Sequence, residues 1–362
     1  MTEYRNAHPY FMYEAIEQQP ERVARVLERQ CEAIDRAAAR AAAQRRIIFL
    51  GIGTSYHAAL LGELFLRHLT GGRAEARVDT SFQFLHYPIA VGARDAVVVI
   101  SHRGNKSFSM QALERARAAG ALTILLTGEG SRVGEADHVI PTCELETAFA
   151  HTKSYTTAVA ALARFAIGVA ALRGQASDAA ASRAALQGIP ERMRQALGSD
   201  AACREAAKYI SQRHQFIFLG AGPNWVTAME AVIKVLETSY VPSSGHESEQ
   251  FLHGPFCQVD ARAAAIAIVA GGAADVRMHS VLAACGALGV ARVVVAMAGA
   301  GLDVEAEQRV EVPAAEKWLS PLVLVVPLQL ISYYVALDRG TNPDSGRQQE
   351  ADHAKAQKMF AL

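Results

Sequence analysis

Short apolar runs alternate along this chain with longer amphipathic stretches, and that alternation predicts the architecture. Residues 8–44 carry Ile16, Val23, Val26, Leu27 and Ile34 at three- and four-residue steps, the period of a helix with one apolar face. Pro20 falls where a first helix would stop and a second begin. Apolar runs at 46–50, 77–78, 96–100, 122–126 and 138–140 predict strands, and helical patterns fill 55–69, 107–119 and 155–172. Strands alternating with crossover helices imply a parallel sheet covered on both faces. The scheme is then repeated. Phe49-Leu50-Gly51-Ile52-Gly53-Thr54-Ser55 returns as Phe218-Leu219-Gly220-Ala221-Gly222-Pro223-Asn224, and Val98-Val99-Ile100-Ser101 as Ala267-Ile268-Val269-Ala270. Both pairs stand 169 positions apart. A third pair, Val139-Ile140-Pro141 and Glu311-Val312-Pro313, drifts by three, as a loop insertion would produce. The expected fold is α/β, two tandem doubly wound parallel-sheet units of flavodoxin-like kind. The expected divisions are a helical extension over 1–45, a first unit over 46–175, a helical linker over 176–199, a second unit over 200–337 and a C-terminal tail over 338–362. The Ala-rich stretch 175–187 reads as a helical connector ending near Gly188-Ile189-Pro190.

Composition narrows the class. A chain of 362 residues, 51% hydrophobic and 20% charged, has apolar material for two covered sheets. Lys+Arg and Asp+Glu are both 36, so no global field favours nucleic acid or an anionic membrane, and an anionic ligand must be held locally. Five cysteines, Cys31, Cys143, Cys203, Cys257 and Cys285, form no CxxC pair; they read as reduced thiols of a cytoplasmic protein. The N-terminus has no apolar core for a signal peptide. The longest apolar stretch, 319–337, is interrupted by Ser320, Pro321, Pro327 and Gln329 and reads as a buried helix.

The polar loops carry the chemistry. Gly53-Thr54-Ser55 stands where a strand hands over to a helix, so backbone N–H groups and two hydroxyls make an anion cradle. Ser101-His102-Arg103-Gly104-Asn105-Lys106-Ser107 also follows a strand and opens a helix, and strands of one parallel sheet deliver their C-terminal ends to a single rim. The second copy lacks these polar residues. The first copy is therefore expected to hold the ligand, and the second to supply scaffold and catalytic side chains. In the second copy Glu237 with Lys234 one turn earlier reads as a carboxylate base with a partner, or as a helix-surface ion pair. Partial burial between Val235 and Leu236 would raise that carboxyl toward working pH. His253 before Gly254-Pro255 reads as an acid, or as a turn residue satisfied by backbone. His246, Glu247, Glu249 and His253 lack metal-ligand spacing, so no metal or other cofactor is expected.

In its layout the sequence resembles the double sugar-isomerase (SIS) family, which includes the isomerase half of glucosamine-6-phosphate synthase and the fructosamine-phosphate deglycases. The resemblance covers nearly the whole chain. It begins at Phe11-Met12-Tyr13-Glu14-Ala15-Ile16-Glu17-Gln18-Gln19-Pro20 and passes through Gly53-Thr54-Ser55 and the stretch 146–157. It continues in Lys234-Val235-Leu236-Glu237-Thr238-Ser239-Tyr240 and His253-Gly254-Pro255, and ends at Asn342-Pro343. It implies that Thr54, Ser55 and Ser101 bind a sugar phosphate; Gly53, His102, Arg103, Lys106 and Thr152 complete the expected binding set. It also implies that Glu237, with Lys234, moves a proton between C1 and C2, that His253 helps open the ring, often from the neighbouring subunit of a homodimer, and that Lys355 is the nearest counterpart of a lysine on the closing tail.

Two departures stand out. Arg103 and Lys106 replace the family's Ser and Thr, which points to a more anionic or differently placed ligand. The tail after Asn342-Pro343 also differs. With Met1-Thr2 at the start there is no N-terminal cysteine to release ammonia from glutamine. The expected activity is aldose–ketose isomerisation, or deamination or deglycation of an amino-sugar phosphate, through an enediol or enolamine. The alternative is a non-catalytic sugar-phosphate sensor, against which stands the lack of a DNA-binding segment before the first unit. The expected partner is a phosphorylated sugar or amino sugar, with no nucleic acid and no membrane. A polar, glycine-containing segment at 241–250 is expected to reach outward toward the second subunit.

Overall fold

The computed structural model describes residues 4–105, 107–131, 134–174, 178–300 and 305–359. By contacts the chain divides into two compact units. The first comprises Gln18–Glu146, Lys153–Pro190 and residues 355–359; the second comprises residues 4–17, Thr147–Thr152 and Glu191–Ala354. The leading helices are α1 (Phe11–Arg29) and α2 (Cys31–Ala42). Then follow β1 (Arg46–Gly51), α3 (Thr54–Leu69), β2 (Glu75–Thr80), α4 (Ser81–His86), β3 (Asp95–Ile100) and α5 (Ser107–Ala118). The first half closes with β4 (Leu122–Glu129), β5 (His138–Glu144) and α6 (Lys153–Leu172). Next come α7 (Ala179–Gln187), α8 (Ile189–Leu197) and α9 (Asp200–Ile210). The second half runs β6 (Gln215–Gly220), α10 (Pro223–Thr238), β7 (Ser243–Glu247), α11 (Ser248–Leu252), β8 (Ala263–Val269) and α12 (Val276–Ala287). It ends with β9 (Ala291–Met297), β10 (Gln308–Val312), α13 (Ser320–Asp338) and α14 (Ala351–Gln357).

The repeat is real in three dimensions. One sheet has the order β2-β1-β3-β4-β5, and the other, read from its matching edge, β7-β6-β8-β9-β10. All paired strands are parallel. Even the edge register agrees, with Gly51 opposite Thr80 and Gly220 opposite Glu247. This is the flavodoxin-like order, which gathers the C-terminal ends of the central strands at one rim. Both faces of each sheet are covered, so the central strands are apolar throughout: β1, β3 and β8 bury every residue. On one face of the first sheet Ile48, Leu50, Val97, Val99 and Leu125 pack with Leu113 of α5. In the second sheet Ile217, Leu219, Ala265, Ala267 and Val294 pack with Met278, Val281 and Leu282 of α12.

Two expectations change. Pro20 does not separate two helices: α1 runs through it, and the break comes at Gln30. A helix tolerates the lost hydrogen bond when its apolar face is anchored on both sides, and here Ile16, Val23 and Val26 are all buried. The segment 241–250 does not reach outward as a loop. Its residues 243–247 form β7, paired with β6, although Ser-Ser-Gly-His-Glu has no apolar residue to announce a strand. The connector at 175–187 is a helix from Ala179, with 175–177 outside the described residues, and α8 follows it directly. Two helical stretches, Lys153–Leu172 and Lys317–Asp338, are long and apolar enough to cross a bilayer, but 83% and 100% of their most apolar windows are buried inside the protein. They are core helices.

Candidate functional site

The first rim is built by two strand-to-helix turns. Between β1 and α3, a side chain on Gly51 would collide with the Ser55 carbonyl, and Gly53 sits at φ +59°. The tight turn places Thr54 and Ser55, both half-buried, as the first residues of α3. The N-terminal end of that helix favours negative charge. Between β3 and α5, Gly104 at φ +63° donates to the Ser101 carbonyl at 3.1 Å. The His102 carbonyl accepts from Gly128 N and Ser131 Oγ, both at 2.8 Å, which pins the loop to the end of β4. Ser101 is 2% exposed, and its hydroxyl has no hydrogen-bond partner among the described residues. A buried hydroxyl left so at a rim of helix N-termini is what an anion-binding loop requires.

Other residues expected at this rim take different places. Both His102 ring nitrogens are buried. Burial, the largest influence, pushes that imidazole below its ordinary range against the pull of Glu146, so the ring is neutral at pH 7 and offers no charge to a phosphate. Arg103 is exposed and spends one donor on the Glu146 carbonyl at 3.2 Å. Lys106 lies outside the described residues. Thr152 is fully buried and is grouped with the second unit. Sequence reasoning missed Glu146, whose buried carboxylate accepts from Ser154 N at 2.8 Å at the start of α6.

It also missed Glu144, which meets Lys153 Nζ at 2.6 Å and Arg22 Nε at 2.9 Å. Partial burial opposes ionisation of Glu144, but those two hydrogen bonds outweigh it and hold the carboxyl down at about 2. A carboxyl depressed from 4.5 contributes stability that is complete above pH 4.5 and lost as pH falls through about 2. The Glu144 side chain is 38% exposed, so solvent screening discounts that contribution. Glu144→Gln is expected to cost about 1 kcal/mol at pH 7. Denaturant titrations should show the difference from wild type shrinking toward pH 2; a pH-independent difference would remove the ion pair as its cause.

The corresponding rim of the second sheet is closed by its own residues. The turn is the same, with a side chain on Gly220 blocked by the Asn224 carbonyl and Gly222 at φ +55°. Pro223, however, opens α10 without an N–H. Asn224 is buried, donating to Ser320 Oγ at 2.9 Å and accepting from Thr227 Oγ1 at 3.1 Å. In the loop after β8, Ala270 stands where the first copy has Ser101, and its N–H is taken by the Asp275 carboxylate at 3.1 Å.

The second unit instead carries a buried charge cluster on α10. Lys234 is fully buried, and its ammonium meets Glu237 Oε2 at 2.7 Å, the His151 carbonyl at 2.9 Å and Glu230 Oε1 at 3.5 Å. Glu230 is also fully buried, whereas the Glu237 side chain is one-quarter exposed. Lys234 thus fixes one oxygen of Glu237, and the carboxylate retains access to solvent. The helix-surface pair is excluded for Lys234. Glu230 was not singled out from sequence, although its spacing, Glu-x3-Lys-x2-Glu, puts all three groups on one helix face.

His253 follows α11 and is exposed, with Nε2 at 3.1 Å from Glu249 Oε1; Arg277 forks onto the same carboxylate at 2.6 and 3.3 Å. His246 is occupied by Ser244 Oγ at 2.9 Å, and Glu247 caps α11 by accepting from Glu249 N and Gln250 N. Lys355 is exposed on α14.

Two copies of one five-stranded parallel unit, the first with an open polar rim, define the class. The SIS domain matches residues 42–168 and again 209–339, and the chain belongs to that family. The glutamine–fructose-6-phosphate aminotransferase (isomerizing) of Thermococcus kodakarensis is 30% identical over 349 residues, 94% of this chain and 57% of that protein. The chain thus spans little more than half the length of the curated relatives it matches. Among solved structures, the C-terminal domain of glucosamine-fructose-6-phosphate aminotransferase from Francisella tularensis has a TM-score of 0.85 at 23% identity, covering 94% of this chain and 99% of that one. Tagatose-6-phosphate ketose/aldose isomerase from Escherichia coli gives 0.77 at 19% identity, covering 95% and 97%. At these identities the structures speak for the fold alone.

Proposed function

We propose that the protein is a cytoplasmic enzyme acting on a phosphorylated sugar or amino sugar, transferring a proton between C1 and C2 through an enediol or enolamine. Isomerisation, deamination and deglycation all share that step. The observation that carries the reading is Glu237, held by a fully buried ammonium while its side chain stays one-quarter exposed. A proton shuttle needs a carboxylate that is fixed in direction and accessible. Thr54, Ser55, Ser101 and Arg103 are assigned to the phosphate, His253 to ring opening and Lys355 to the tail, with a homodimer as the working unit. The names of the relatives support the substrate class.

The test is NMR in D₂O with a panel of hexose and amino-sugar 6-phosphates. Deuterium should enter at C1 or C2 of at least one. Arg103→Ala should weaken that ligand by about 1.5–3 kcal/mol, the scale of a charge-assisted hydrogen bond. Tight binding without exchange across the panel would overturn the enzyme reading in favour of a sensor.

A further inference from the structure

Among the described residues, two that are not glycine adopt positive φ: Tyr240 at +61° and Arg347 at +62°. They touch each other. The Arg347 guanidinium lies 4.2 Å from the centroid of the Tyr240 ring, and Arg347 N–H donates to Tyr240 Oη at 3.1 Å. Ser345 Oγ is 3.4 Å from the same oxygen. A left-handed conformation is unfavourable for a residue with a side chain unless its surroundings compensate, and a stacked guanidinium with a hydrogen bond is such compensation. Two strained residues, far apart in sequence, are held in place by one contact.

What the contact joins gives it meaning. Tyr240 ends α10 three residues beyond Glu237, its N–H bonded to the Val235 carbonyl at 3.1 Å. Arg347 is the pivot of the C-terminal tail. Before it, Thr341 Oγ1 donates to the Thr238 carbonyl at 2.7 Å, and the Asp344 carboxylate accepts from Phe11 N and Met12 N, both at 2.8 Å. After it, Arg347 Nη1 meets His353 Nε2 at 2.7 Å on α14. Gly346, at φ +50°, lies against the Phe149 ring so closely that a side chain there would collide with it. Phe149 N–H in turn donates to the Asp344 carbonyl at 3.1 Å. Two residues on, the His151 carbonyl accepts from Lys234 Nζ. A continuous line of contacts therefore runs from the tail through 149–151 to Lys234 and Glu237.

We propose that Tyr240 and Arg347 form a latch that seats the C-terminal tail on the end of α10, and that Arg347 is thereby a positioning residue for Glu237. The catalytic consequence rests on the proposed proton-shuttle role; the latch itself does not. The test compares Arg347→Gly, which accepts positive φ but removes the guanidinium, with Tyr240→Phe, which keeps the ring but removes the oxygen. Hydrogen exchange followed by mass spectrometry is read over 341–357 and 147–152, with β1 and β3 as internal controls. Arg347→Gly should speed exchange in both segments by about tenfold and leave the controls unchanged, with Tyr240→Phe intermediate. In the NMR assay, kcat should fall about tenfold with KM within about twofold, the signature of a lost transition-state arrangement. Unchanged exchange over 341–357 in Arg347→Gly would overturn the latch, and this readout needs no substrate. Faster exchange with unchanged kcat would overturn the positioning role. If Arg347→Gly does not fold, Tyr240→Phe decides by the same two measurements.

Discussion

Glu237→Gln is expected to lower turnover by about two to four orders of magnitude while leaving ligand affinity within a few-fold of wild type. The substitution keeps the shape of the side chain, and its amide oxygen still accepts from Lys234 Nζ, which lies 2.7 Å from the native carboxylate. What disappears is an atom able to take and return a proton. The residues assigned to the phosphate lie on β1–α3 and β3–α5 and are chemically untouched, so binding should persist. Single-turnover and binding measurements on one preparation separate the two quantities. An undiminished rate would remove Glu237 from the mechanism.

Lys234→Met should be the most destabilising substitution on α10, by about 3–5 kcal/mol. Met matches the lysine side chain as far as the ε-carbon, so most of the packing is kept, but Glu230 remains fully buried without the ammonium 3.5 Å away. The His151 carbonyl and Glu237 lose a donor as well. If the loss of the ammonium beside a buried carboxylate is the cause, pairing the change with Glu230→Gln should recover much of the loss, because a neutral amide is cheaper to bury than a carboxylate. Denaturant unfolding of both single variants and the double variant closes the cycle. A loss under about 1 kcal/mol in Lys234→Met would mean that the buried cluster contributes little.

The central strands and the turns after them were legible because each demands a distinctive residue type: a continuous apolar run for a strand buried on both faces, then glycine where the next helix crosses close above. The edge elements were less so: of β2 only 77–78 was anticipated, and β7 was not anticipated at all. β2 is half-exposed along its length, and β7 is entirely polar, so both are set by backbone pairing to a neighbour and not by side-chain pattern. The candidate residues divide in the same way. Thr54, Ser55 and Ser101 were readable from their place after strands. Glu146, Glu230 and Asp275, all buried, were not singled out, because nothing local in the sequence announces their burial. The membership of 4–17 and 147–152 in the second unit was equally hidden, since it depends on caps such as that from Asp344 to Phe11 and Met12.

The self-closed rim of the second sheet has a bearing on how a duplicated gene divides its labour. α3 and α10 both span sixteen residues in matching positions. Where α10 carries Glu230, Lys234 and Glu237, α3 carries Leu61, Phe65 and His68, the first two ordinary core residues. In the second copy Pro223, Asn224 and Asp275 occupy the positions that are polar loop residues in the first. The charged cluster stands on α10 of that copy and has no counterpart on α3. Duplication here has produced divergence: the matching helix carries a buried charge cluster in one copy and an apolar core stripe in the other.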